Sequence, residues 1–379
     1  MKVLFLTHWY PSPERPQKGV FIKEQAKALA KVGADLTVLH IDISSGGGFI
    51  NTSWEERQED GFRTARIRIT GWLWKLAYTV YPIQLMLIRR AIDRIGMDLY
   101  QFDLIHSHVV HPAGAIGNRM ADEHGLPHFI SEHWSNLKFY FSKNPYRRWG
   151  RNAYDKAERI FVVSEFLKEQ TAKFVTDPKK LAVIPNVVPA EEFNYRPAAI
   201  GSSYYLVMAA RWNKGKRIIK RPKLLIKAVS EAAGELDRPI TLSIIGDGDR
   251  IPEMKRFCAE NHVHAQFHGF ISKEQMACQF QKADLFLHGS EYETFSVVIA
   301  EALKCGTPVV ASNVCAIPEL ISESNGLLVE NKITPWKNGI IRALNHGYDR
   351  AAIAAAFKTR FGYKEVGNKL LESYEEALG

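Results

Sequence analysis

Glu293-Thr294-Phe295-Ser296-Val297-Val298-Ile299-Ala300-Glu301-Ala302-Leu303, closed by Gly306-Thr307-Pro308-Val309-Val310, sets two carboxylates eight positions apart around one strand-to-helix turn. The apolar run 284–288 predicts a strand, Ser296 an N-cap, 297–305 a short helix stopped by Gly306, and 308–312 a second, buried strand. At the start of such a helix the first-turn amides have no intrahelical acceptor and the helix dipole is positive, which suits a diphosphate. Glu301 falls about one and a half turns into the helix and Glu293 in the loop before it, so the pair can flank one ligand. A carboxylate accepts hydrogen bonds from two neighbouring hydroxyls at once, which makes a ribose diol and a sugar diol natural targets. Either glutamate alone reads equally well as a solvated charge; the frame they share carries the assignment.

Around this segment the C-terminal half alternates strand and helix, with strands expected at 205–210, 241–245, 265–268, 285–288 and 309–312. The N-terminal half does the same. Strands are expected at 3–7, 36–41, 104–108, 128–133 and 160–164, with an amphipathic helix over 20–32 stopped by Gly33. Such alternation predicts mostly parallel sheets covered on both faces. Between the halves, 185–203 is rich in Pro, Gly and Ser, as linkers are. The expected architecture is α/β: two doubly wound, Rossmann-like domains over 1–190 and 191–359, facing each other across a cleft, with ligands at the carboxyl ends of the strands. An amphipathic helix is expected over 363–378. Gly246-Asp247-Gly248-Asp249 after its strand lacks the third glycine of a dinucleotide fingerprint and reads more simply as a strand-end turn. Gly46-Gly47-Gly48 reads as a surface loop.

The chain of 379 residues is long enough for two domains, and 46% apolar with 24% charged residues is globular. The stretch 71–88 is broken by Lys75, Pro82 and Gln84, so no membrane span is expected. Met1 to Thr7 reads as a first strand rather than a signal peptide, which places the protein in the cytoplasm. Cys258, Cys278, Cys305 and Cys315 are too scattered for a metal clamp or a disulfide framework and are expected as buried thiols. His106, His108, His111 and His133 cluster without nearby cysteines or carboxylates, so no metal site is predicted.

The net charge of +9 is unevenly spread: 211–227 holds Arg211, Lys214, Lys216, Arg217, Lys220, Arg221, Lys223 and Lys227 without an acidic residue. Residues 138–151 add five cations among Phe139, Tyr140, Phe141, Tyr146 and Trp149. Such clusters attract phosphates, nucleic acid or anionic lipid, although a solvated basic face accounts for most of them. Trp72, Leu73, Trp74, Tyr78 and Tyr81 lie near Lys75, Arg89 and Arg90, a composition that suits an anionic headgroup layer and equally a buried helix or the wall of an acceptor pocket.

Together these residues resemble the large family of retaining GT-B glycosyltransferases known as group 1, or family four, whose members share an E-x7-E element. The resemblance spans nearly the whole chain. It includes Tyr10-Pro11 with Gly19-Val20-Phe21, His106-Ser107-His108 with His111-Pro112-Ala113-Gly114, Ser131-Glu132-His133, Val163-Ser164-Glu165 and Ile184-Pro185-Asn186. In the second half it takes in Ile245 to Gly248, His268-Gly269-Phe270 and 293–311.

The resemblance implies that Glu301 holds the donor ribose and Glu293 the transferred sugar, with amides at Phe295, Ser296 and Val297 meeting the diphosphate or sugar. It implies Arg211 and a lysine on the diphosphate; counting back from the helix at 224–228 selects Lys220 over Lys214 or Lys216. Gly19, Gly246 and Phe270 fall at donor positions, and His133 would face the transferred sugar. The C-terminal helix, about 360–379, is expected to return to the N-terminal, acceptor-side domain. Ser296 departs from the glycine often found there, and the long basic segment after Arg211 is unusual.

The implied activity is transfer, with retention, of a hexose-type sugar from a UDP-, GDP- or ADP-sugar to a glycan or lipid-linked acceptor, in surface polysaccharide or glycolipid synthesis. No cofactor, metal or nucleic acid is expected, and contact with an anionic membrane at its inner face is. The alternatives are a nucleotide-sugar epimerase on a related fold and a non-catalytic sugar-nucleotide-binding scaffold.

Overall fold

The computed structural model describes residues 1–134, 136–197, 201–213 and 220–379. The chain divides into two compact units, 1–187 with 363–379 and 188–362.

In the first unit the strands are β1 (Lys2–Thr7), β2 (Asp35–Ser44), β3 (Asn51–Glu59), β4 (Phe62–Thr70), β5 (Leu104–His108), β6 (His128–Glu132), β7 (Arg159–Val162) and β8 (Leu181–Val183). They form one sheet in the order β3-β4-β2-β1-β5-β6-β7-β8. All neighbours are parallel except β3 and β4. The two-residue alternation of β1 sends Val3 and Phe5 into one core and Leu4 and Leu6 into the other. The Val3 side is covered by helices Val20–Lys31 and Tyr363–Leu378, through Ile22, Ala26, Leu29, Val366, Leu370 and Tyr374. The Leu4 side is covered by Tyr81–Arg94 and Ala115–His124, through Leu85, Ile88, Ile116 and Met120. A sheet buried on both faces is what parallel pairing requires.

The second unit holds β9 (Tyr204–Ala209), β10 (Ile240–Ile245), β11 (Ala265–Gly269), β12 (Leu285–His288), β13 (Val309–Ser312) and β14 (Gly326–Val329). Their order is β11-β10-β9-β12-β13-β14, all parallel. Leu206, Met208, Leu242, Ile244, Leu285 and Leu287 face helices Pro222–Ala233 and Ile333–Asn345, where Trp336 is fully buried. The fold is thus two Rossmann-like α/β units.

Several expectations need correction. The hairpin of β3 and β4 was not anticipated, because Asn51–Glu59 is almost wholly exposed and shows no apolar alternation. Its signal was the Asp60-Gly61 pair, with φ of 53° and 89°, the left-handed two-residue loop that joins antiparallel strands. Strands β8 and β14 were also missed. In the segment from 185, Asn186, Val187, Val188 and Phe193 are buried. Of the cysteines only Cys258 and Cys305 are buried; Cys278 is exposed on the outer side of helix Lys273–Lys282, and Cys315 is partly exposed. In the region 71–88 Tyr81 is buried and stacks on Trp149 at 4.3 Å, whereas Trp72 is 59% exposed. Among the described residues no helix is long and apolar enough to cross a membrane.

Candidate functional site

In the second unit the carboxyl ends of β9, β12 and β13 lie side by side and deliver Arg211, His288 and Ser312 to one edge of the sheet. The loop bearing Arg211 is fixed from below. Trp212 N donates to Asp247 O and its indole Nε1 to Ile245 O, both at 2.9 Å, and Arg250 N donates to Trp212 O at 2.9 Å. Gly246 makes this possible: at φ 106°, a β-carbon there would stand 1.9 Å from Ala210 O. Arg211 itself is exposed at the edge.

The loop after β12 is tied in the same way. Ser290 N donates to Ser312 Oγ at 2.9 Å, and Asn331 Nδ2 donates to Ser290 O at 2.9 Å. A short antiparallel bridge pairs Lys220 with Ser290, and Arg221 N donates to Gly289 O at 3.2 Å. These backbone ties bring Lys220 to Glu293. The Lys220 ammonium donates to Glu293 Oε1, and the same oxygen lies 2.9 Å from His288 Nε2, which is 3.2 Å from Lys220 Nζ. A carboxylate only accepts, so the shorter of the two contacts, at 2.9 Å, is met by a hydrogen on His288 Nε2 directed at Glu293, and Nε2 then does not accept from the Lys220 ammonium. Burial pushes the Glu293 carboxyl up, but Lys220 and the His288 hydrogen bond outweigh it and hold it down at about 2. Burial and the neighbouring Lys220 lower the His288 pKa, so its ring is neutral. Glu293 is therefore a fixed anion at neutral pH.

Ser296 is the N-cap of helix Val297–Lys304, as expected, but it does not cap through its side chain. Its backbone is left-handed, φ 69° and ψ 74°, a geometry that turns Oγ away from the helix amides and to 3.3 Å from His288 Nε2. The helix begins beside the Lys220–Glu293 pair, and its first-turn amides have no intrahelical acceptor. Val297 and Glu301 are partly exposed on it. Phe295 is buried against Phe361, with ring centres 5.2 Å apart, so the backbone of Phe295, rather than its ring, is available at the turn. Phe270, just past β11, is 62% exposed.

Gly19 and His133 belong to the first unit. Gly19 precedes helix Val20–Lys31 at φ 71°, where a β-carbon would lie 2.2 Å from Trp9 O. Its lack of a side chain is thus already required by the chain's own close approach at Trp9. His133 follows β6 and is buried, with Nε2 3.5 Å from His108 Nδ1 and its ring on Phe21 at 4.6 Å. Burial lowers its pKa to about 3, so it is a neutral imidazole. The preceding Glu132 is fully buried and accepts from the amides of Val110, His133 and Trp134 and from Tyr154 Oη, at 2.8–3.0 Å. It fixes the turn that carries His133.

The site residue that sequence reasoning missed is His288. A histidine ending the buried run Leu285-Phe286-Leu287 was the available signal, but its partners are set by the fold. Of the basic stretch, Lys214, Lys216 and Arg217 lie outside the described residues. The others are largely engaged: Arg221 pairs with Glu291, Lys223 with Glu253 at 2.6 Å, and Lys227 donates to Asn261 at 3.2 Å. Among the described residues no three His, Cys, Asp or Glu side chains converge as a metal site.

Two Rossmann-like α/β units with mostly parallel sheets are the GT-B architecture of glycosyltransferases. Residues 200–360 match the model of the glycosyl transferases group 1, and residues 19–192 that of Glycosyltransferase Family 4. The chain is a glycosyltransferase built of a family 4 and a group 1 domain, which between them take up most of its length. It is 25% identical to the putative teichuronic acid biosynthesis glycosyltransferase TuaC of Bacillus subtilis, over 88% of this chain and 86% of that one. It is 26% identical to a D-inositol 3-phosphate glycosyltransferase of an Arthrobacter species, over 100% and 95%. Among solved structures it resembles Anabaena Alr3699/HepE in complex with UDP, with TM-score 0.74, 18% identity, and 99% and 100% of the two chains covered.

Proposed function

We propose that the protein is a retaining hexosyltransferase that moves a sugar from a nucleoside-diphosphate sugar to a hydroxyl of a glycan or lipid-linked acceptor, in surface polysaccharide or glycolipid synthesis. The observation that carries this reading is the cluster of Glu293, Lys220 and His288 at the start of helix Val297–Lys304. In transfer, the bond from the anomeric carbon to the terminal phosphate oxygen breaks, positive charge grows on the sugar and negative charge on the diphosphate. Lys220, Arg211 and the amides of Ser296 and Val297 stabilise the leaving group, in a role a divalent cation fills elsewhere. Glu293 orients the sugar through its hydroxyls, and Glu301 holds the ribose diol. The acceptor oxygen bonds the anomeric carbon on the face the diphosphate leaves, and its proton passes to that diphosphate. Gly246 and Phe270 complete the contacts made by the second unit, and the protein works without a metal.

The names of similar proteins support the substrate classes: the Anabaena structures hold UDP and glucose, and TuaC is named for teichuronic acid biosynthesis. Phe49, Trp72 and Leu76, all exposed, beside exposed Lys75, support peripheral contact with an anionic membrane, where a lipid-linked acceptor lies. The test is to incubate the protein with UDP-, GDP- and ADP-sugars, with and without acceptors, and to follow nucleoside diphosphate release and the anomeric configuration of the product. Acceptor-dependent release with the donor's configuration is expected. Conversion of the donor to its epimer, or binding without release, would replace the proposal with an epimerase or a silent binding protein.

A further inference from the structure

Both contacts that hold the Glu293 side chain fall on one of its oxygens. The Lys220 ammonium donates to Oε1, and His288 gives its Nε2 hydrogen to the same atom at 2.9 Å. Neither contact uses Oε2. A carboxylate held through one oxygen keeps the other available to accept from a ligand, and which oxygen that is depends on the partner that stays in place.

The two partners differ in how firmly they are placed. His288 ends β12, a central strand between β9 and β13, in which Phe286 pairs with Val207 on one side and Val309 on the other, and His288 itself pairs with Ala311. Its ring is buried, lies against Phe286 with centres 5.7 Å apart, and has Ser296 Oγ 3.3 Å from Nε2. Lys220 reaches Glu293 on a flexible four-carbon stem from the short bridge to Ser290, and an ammonium on such a stem can turn to another anion without moving the backbone. A diphosphate is such an anion. The imidazole cannot follow, because a neutral ring on a buried strand has neither the charge nor the reach.

We propose that His288 is the residue that positions Glu293 on the donor sugar: it keeps Oε1 when the diphosphate takes Lys220, so that Oε2 stays turned to the sugar hydroxyls. The inference rests on the transferase reading, in which Glu293 meets the transferred sugar, and adds to it a positioning residue and an order of events. Donor binding splits the Lys220–Glu293 pair, with no covalent bond made or broken and no proton moved. The cation goes to the phosphate oxygens, where negative charge grows in transfer, and the anion is left beside the sugar, where positive charge grows. A neutral donor suits the anchor. An ammonium or imidazolium at Oε1 would cancel the charge that the sugar needs, whereas the imidazole N–H fixes the carboxylate and leaves it anionic.

Donor hydrolysis, in which water takes the place of the acceptor, and titration calorimetry on the full chain test this, with UDP-glucose, UDP-galactose, GDP-mannose and ADP-glucose as donors and UDP, GDP and ADP as ligands. His288→Leu fills the buried space without an N–H, and His288→Gln returns an N–H close to the position of Nε2. His288→Leu should cut turnover about 30-fold while the Kd for nucleoside diphosphate stays within about threefold, and His288→Gln should recover most of the loss. In a Glu293→Gln background His288→Leu should cost nothing further, since no carboxylate is left to position. Independently of turnover, the hydrogen-bonded Nε2 proton of His288, assigned in the NMR spectrum by its loss in His288→Gln, should stay downfield when nucleoside diphosphate is added. Wild-type turnover by His288→Leu, a loss that His288→Gln does not recover, an undiminished cost in the Glu293→Gln background, or disappearance of that proton on adding nucleotide would overturn the proposal. Failure of the donor reading shows separately, as a wild-type chain that binds none of the three nucleoside diphosphates, and removes this inference with it.

Discussion

Replacing Glu293 by glutamine should make the protein bind nucleoside diphosphate more tightly while almost abolishing sugar transfer. Lys220 is held by Glu293, so a diphosphate must draw the ammonium away from a carboxylate before it can use the charge. The strength of that hold is set by the carboxyl being kept at about 2 against an ordinary 4.5. At 1.36 kcal/mol per tenfold, this corresponds to roughly 3 kcal/mol shared between Lys220 and His288. The side chains are 23% and 16% exposed, so solvent screening trims the part due to Lys220 to about 1–2 kcal/mol. Glutamine keeps the shape and removes the charge. UDP, GDP or ADP, whichever the wild-type chain binds, should therefore bind about 5- to 30-fold more tightly to Glu293→Gln by isothermal titration calorimetry.

Transfer should fall by about 10²- to 10³-fold, because the sugar loses a preorganised anionic partner. The double variant with Lys220→Ala should show no gain over Lys220→Ala alone, since no ammonium is left to release. A carboxyl held down at about 2 contributes its pairing above the ordinary carboxylate range and loses it only as pH falls towards 2. The gain of Glu293→Gln over wild type should accordingly be constant between about pH 6 and 8. Unchanged or weaker nucleotide binding by Glu293→Gln would refute the reasoning, because it would mean that Lys220 is not the cation the diphosphate recruits.

Other outcomes follow from the same geometry. Arg211→Ala and Lys220→Ala should each cost about 2–4 kcal/mol of transition-state stabilisation in steady-state transfer, with Lys214→Ala costing less; a crippled Lys214→Ala beside a silent Lys220→Ala would reassign the lysine. EDTA should leave transfer largely intact, and a strict requirement restored by magnesium or manganese would end the metal-free mechanism. The first unit should lose stability as pH falls below about 6.5: burial holds His40, His128 and His133 near 3, so the unfolded chain binds protons that the folded one refuses. Each such histidine costs about 2 kcal/mol at pH 5, a loss visible in urea melts at pH 7 and pH 5, and equal melts would contradict it. Sedimentation with anionic vesicles at low salt should require Trp72 and Lys75; retention on neutral vesicles, or none at low salt, would exclude an electrostatic membrane contact.

How far the sequence could be read depended on the range over which each feature is decided. Strands such as Leu104–His108 and Val309–Ser312 and the helix Tyr363–Leu378 follow from runs of apolar residues and their stops, which act within a few positions. Glu293 was singled out by the turn it enters and Lys220 by the position that the family resemblance gives it before the following helix, and the fold brings these two side chains together. The cost of local reading shows at Ser296. Serine predicts an N-cap in extended backbone that closes on its own helix through Oγ, yet here the chain enters the helix through the left-handed region, where a residue with a β-carbon pays about 1–2 kcal/mol. What holds it there is remote in sequence: Ser290 is tied to Ser312 and Asn331, the Lys220 bridge fixes the loop from the other side, and Ser296 Oγ finds His288 in place of the helix amides. His288 escaped notice for the same reason. Nothing within the strand distinguishes it from a core histidine; its role arises only where two further segments bring a lysine and a glutamate to the same ring nitrogen, so the part of the site that sets the charge state of Glu293 is a property of the folded second unit rather than of the motif.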